Sequence, residues 1–139
     1  MTAVRGQTRT RSASAADALA FLEKVREFLR AAQDPLELGS RVAAAGNAVH
    51  AGIGAADAIT AARAAVVWKG ERSQAPARLE KVGGEAGRQA APHLRRLLPL
   101  ENQAECDPEP ISATEAKAAV TAAACMVRIA EQTVKQVER

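Results

Sequence analysis

The stretch "RVAAAGNAVHAGIGAADAITAARAAVV", Arg41 to Val67, limits what this chain can become more than any other part of it. Small or apolar residues fill nearly every position, so as a helix it has no polar face to turn towards water. Such a helix must be covered on most sides, which makes it the centre of a bundle. Its pattern predicts one run from about Pro35 to Trp68, with Asp34 as N-cap and Pro35 at the first helical position. Gly46, Gly52 and Gly54 each cost about 1 kcal/mol relative to Ala inside a helix. Close approach of neighbouring helices, or a bend near 52–54, would account for them.

The flanking segments supply the cover. After a capping-box variant at Ser14–Asp17, Ala18, Leu22, Val25 and Leu29 recur at helical spacing with Phe21 and Phe28 beside them, predicting a first helix that ends near Gln33. A short third helix is expected over Ala75 to Val82, broken by Gly83-Gly84. A fourth follows from about Glu85 to Gln103, kinked or split by Pro92 and Pro99. Asp107-Pro-Glu-Pro110 reads as a rigid connector and Ser112–Glu115 as a capping box. Beyond it Ala116, Val120, Ala123, Val127, Ala130, Val134 and Val137 alternate at spacings of four and three, a seam for the core or for a second subunit. The expectation is an all-α bundle of four to five helices over residues 14–139, preceded by a flexible basic tail over 1–13.

Composition agrees with helix. Alanine is about a quarter of the 139 residues, aromatics are 2%, and there is no Tyr. A core of alanines buries little area per residue, which favours added burial from a second copy and hence a homodimer. Net charge is +3, with Arg5, Arg9 and Arg11 in the tail, where an acidic partner or nucleic acid is one conceivable target. No apolar run follows those arginines as in a secretory leader, and no stretch of 18 apolar residues suggests a membrane span. Two cysteines, Cys106 and Cys125, make no disulfide framework, which leads to a cytoplasmic expectation.

Chemistry-bearing residues fall into three groups. Asn47, His50 and Asp57 lie on one side of the central helix, where His50 would serve as base or ligand, or all three as a satisfied polar network. Arg88, Arg95 and Arg96, with His93 beside them, would form a solvated face of the fourth helix or a phosphate-binding patch, although no aromatics interleave for stacking on single strands. Cys106 follows Glu105, and carboxylate neighbours do not activate a thiol. A P-loop, a CxxC pair and an HExxH are all missing from the sequence, so neither a cofactor nor a metal is expected. "GNAVHAGIG" lies inside a helix with no strand before it, unlike a dinucleotide fingerprint.

From about Arg41 to Val134 the chain resembles the HEPN superfamily (higher eukaryotes and prokaryotes nucleotide-binding). The resemblance is carried by "GNAVHAGIGAADAITAARAAVVWKG", a small-residue helix ending in a Lys-Gly loop, and by "LRRLLPLENQAECDPEPISATEAKAAVTAAACMVRIAEQ". The second stretch looks like the family's Leu-rich helix, polar motif, turn and final Ala-rich helix. The resemblance implies a homodimer in a prokaryotic toxin–antitoxin or defence setting. In ribonuclease members it implies a basic residue, a His and often a Tyr at the polar motif, acting on the RNA 2′-hydroxyl and scissile phosphate. Here those positions hold Glu101, Glu105 and Cys106, with Asn102 between them, so the motif is degenerate. Carboxylates repel phosphate, and neither can act as a base near neutral pH as His does. The leading expectation is thus a non-catalytic interaction or regulatory protein. One alternative is a metal-independent ribonuclease that uses Arg88 and His93. The other is a binding protein for a nucleotide or acidic ligand.

Overall fold

The computed structural model describes residues 9–106 and 108–138, and its fold is all-α. Helix α1 spans Ala15–Glu37, α2 Arg41–Ala64, α3 Ala75–Val82, α4 Gly84–Leu97, α5 Pro99–Glu105 and α6 Ala113–Glu138. A single 3₁₀ turn, Arg72–Gln74, leads into α3. Strands β1 (Thr10–Ser12) and β2 (Val66–Trp68) pair antiparallel, with Arg11 opposite Val67. Among the described residues, no helix is long and apolar enough to cross a membrane.

Helix α2 is the hub, in contact with α1, α3, α4, α5, α6 and β2. Ala44, Ala48, Ala51, Ala55 and Ala58 are fully covered, as are Val49 and Ile59, which is what a helix without a polar face requires. Around it α1 packs Ala18, Leu22 and Val25, and α4 packs Ala90, Ala91, Leu94 and Leu97. Burial of each large side chain removes it from water for about 1.5–3 kcal/mol. In α6, Ala116, Val120, Ala123, Val127, Ala130 and Val134 are all buried within the single chain, leaving only Val137 exposed. The seam is therefore a core stripe. Arg26 of α1 donates to Glu131 of α6 through Nε at 3.0 Å and Nη2 at 2.8 Å, tying the two helices together.

Three boundaries differ from expectation, and the fourth helix takes the split form of the two expected for it. Helix α1 does not stop at Gln33 but runs through Pro35, and the chain reverses at Gly39, whose φ of +81° suits glycine. Asp34 and Pro35 are therefore the last turn of α1, not the start of α2. Helix α2 ends at Ala64, because Ala65 turns left-handed at φ +57° and the β-branched pair Val66-Val67 joins a strand. The expected fourth helix is two, α4 and α5, divided at Leu98 with Pro99 opening α5, while Pro92 is tolerated inside α4. Finally, residues 10–12 of the expected flexible tail are a strand, and Ala13 is buried and donates its N–H to the Ala65 carbonyl at 2.9 Å. The remainder of that tail, residues 1–8, lies outside the described residues. Both capping boxes form: Ser14 with Asp17 and Ser112 with Glu115, each through two bonds of 2.8–3.0 Å.

Candidate functional site

The polar row on α2 divides between three neighbours. Asn47 donates from Nδ2 to the carbonyl of Ala31 at 3.0 Å. Ala31 lies four residues before Pro35, which has no N–H to offer that carbonyl. Asn47 thus replaces the missing helical bond and is a structural residue. His50 meets Glu105 of α5, Nε2 to Oε1 3.6 Å, and its ring lies 5.5 Å from that of Phe28 on α1. Asp57, about two turns beyond His50 on the same helix, faces a different space.

The three motif positions on α5 can now be placed. Glu101 pairs with Arg72 of the 3₁₀ turn at 3.4 Å, and Glu105 with His50. Gly46 of α2 lies against α5, since a Cβ there would meet that of Ala104 at 3.8 Å. Both carboxylates accordingly face partners within the chain. Cys106 ends α5, exposed and free, its N–H bonded to the Asn102 carbonyl at 2.8 Å.

Asp57 lines a cavity of about 250 Å³ between α2, β2, the 3₁₀ turn and α3. Its floor is apolar, with Ile53, Leu79 and Leu94, and its rim carries Lys69, Arg72, Arg78 and Trp68. The Arg78 guanidinium lies 5.9 Å from the centre of the Trp68 ring, within cation–π range. Its Nε is buried without a hydrogen-bond partner among the described residues. The indole N–H donates to the Glu71 carbonyl at 2.9 Å, and Gly70 passes so close to the ring that a Cβ there would collide with it. Burial pushes the Asp57 carboxyl up to about 6, against the pull of Lys69, Arg72 and Arg11.

The arginine patch expected on α4 is dispersed. Arg88 is held by Glu85 one turn before it, at 2.6 and 3.0 Å, and Arg95 reaches Glu80 of α3 at 3.2 Å. Arg96, rotated roughly 80° from Arg88 by an eight-residue spacing, shares a shallow depression with His93, Thr114 and Lys117. Arg88 and His93, five residues apart, are separated by roughly 140° around the helix and do not converge. Burial, then Arg96 and Arg128, lowers the His93 pKa, and its Nδ1 is buried without a partner among the described residues.

Reading the sequence singled out His50, Asp57, Glu101 and Glu105 but missed Lys69, Arg72, Arg78 and Trp68. The available signal was local: "WKGERSQAPAR" places three basic residues beside the chain's one Trp. No family model, curated protein or solved structure matches the chain.

Proposed function

We propose that this chain is a non-catalytic HEPN-like module that associates with a second copy of itself and acts by binding, in a prokaryotic toxin–antitoxin or defence setting. The single observation that supports the reading is the use made of Glu101 and Glu105. At the positions where ribonuclease relatives would present cations to RNA, this chain has carboxylates, and each is paired inside the fold, with Arg72 and with His50. The resemblance in pattern supplies the setting. Self-association would draw on Leu38, Val42 and Phe28, large apolar side chains left exposed, since the α6 seam is already covered.

The ribonuclease alternative needs Arg88 and His93 to act together, and their separation around α4 counts against it. The test is incubation of the purified chain with mixed RNA for several hours, beside His93→Ala. Full-length RNA in both samples is expected. Cleavage by the wild type that His93→Ala abolishes would overturn the proposal in favour of that alternative, and cleavage by both proteins would overturn it outright.

A further inference from the structure

The cavity beside Asp57 shares Arg72 with the α5 motif, but its lining has a chemistry of its own. Three cationic side chains, Lys69, Arg72 and Arg78, line it against one carboxylate, Asp57. Arg72 is already engaged by Glu101. Arg78 is engaged differently: its guanidinium rests on the Trp68 ring, and its buried Nε has no acceptor among the described residues. A buried donor left without an acceptor is costly, so an acceptor brought by a ligand would recover that energy. The wall is also fixed before any ligand arrives, because Trp68 is held by its bond to Glu71 and by the close passage of Gly70. Behind the cations the floor of Ile53, Leu79 and Leu94 is apolar. A volume near 250 Å³ lies below the roughly 300–1,000 Å³ of pockets for drug-sized molecules.

Together these features point to an occupant with an anionic head and a short apolar body. We infer that the cavity binds a small organic acid, its anionic group on Arg78 and Lys69 and its apolar body against Trp68 and the Ile53–Leu79 floor. Asp57 modulates the site. Its carboxylate lies in the field of Lys69, Arg72 and Arg11, and when ionised it competes with the ligand for the cations of the lining.

Trp68 is the chain's only tryptophan, so its fluorescence reports directly on the cavity. Titration with phenylacetate should give a saturable change, and neutral phenylacetamide should give none. Phenyl phosphate serves as a second anionic head and shows which oxyanion the site prefers. Arg78→Gln should weaken phenylacetate at least about tenfold. Lys69→Gln alters an exposed side chain outside the core, and should weaken it several-fold in a chain that stays folded. Wild-type affinity should rise from about pH 7.5 to about pH 5.5 as Asp57 takes up its proton, and Asp57→Asn should be tight at both. A flat response up to about 10 mM of either acid would overturn the inference. So would equal binding of the amide, unchanged affinity in both cation variants, or tighter binding of adenosine monophosphate than of the small acids.

Discussion

Asn47 shows how a polar residue on an apolar helix can be forced by a proline elsewhere. Pro35 withholds a donor from the Ala31 carbonyl, and the Asn47 amide supplies one from the neighbouring helix at 3.0 Å. That relation links residues of different elements, so spacing along α2 gave no sign of it. Asp57 is the opposite case, a charged group whose burial is a cost. Its ordinary value of 3.8 rises to about 6 in the fold. Between those values the folded chain holds a proton that the unfolded chain has lost. Asp57 therefore favours the fold most at low pH, and stability falls as pH rises from about 4 to about 6, by roughly 3 kcal/mol in total. Asp57→Asn should accordingly be more stable than wild type at pH 7.5, by about 1–3 kcal/mol, and the gap should narrow towards pH 4. Urea unfolding at the two pH values measures this, and a gap of the same size at both would refute it.

Among the elements, α3 and α4 meet backbone to backbone, and glycine allows it. A Cβ on Gly87 would collide with the backbone carbonyl of Leu79, and one on Gly83 would lie 2.7 Å from the same oxygen. Backbone cannot yield as a side-chain end can. Gly87→Ala should therefore lower stability by about 1–3 kcal/mol despite the better helix propensity of Ala. Gly46→Ala, whose new methyl would meet Ala104 at an ordinary 3.8 Å, should instead raise it by about 1 kcal/mol. Thermal or urea midpoints for the pair test the contrast, and a Gly87→Ala protein as stable as wild type would contradict it. Helix interiors were legible in the sequence because the apolar stripes of α1 and α6 are periodic and α2 is small or apolar almost throughout. The ends were less so. Asp34-Pro35 has the local chemistry of a helix start, and only the reversal at Gly39 makes it an end. Val66–Trp68 is too short for a two-residue period to register, and its partner strand lies in a segment that reads as polar tail. The same limit applies to the site: Glu101 and Glu105 stood out by position, but their partners Arg72 and His50 are 29 and 55 residues away.

At the scale of the whole molecule, the fold is a hub helix sheathed by α1, α4 and α6, with α5 and the β2–α3 segment closing one flank. Alanine allows this density, but it also limits the area each residue buries. Leu38, 83% exposed, and Val42, 52% exposed, stand out at the α1–α2 turn as apolar surface the single chain does not cover. Two copies joined there would hide it without disturbing α5, whose carboxylates are paired internally and present no cation to a polynucleotide. The most direct test of a body that associates with itself and does not grip RNA is light scattering at tens of micromolar, with and without excess single-stranded RNA. The account predicts twice the 14.5 kDa chain mass, unchanged by RNA. A single-chain mass, or a mass that grows when RNA is added, would contradict it.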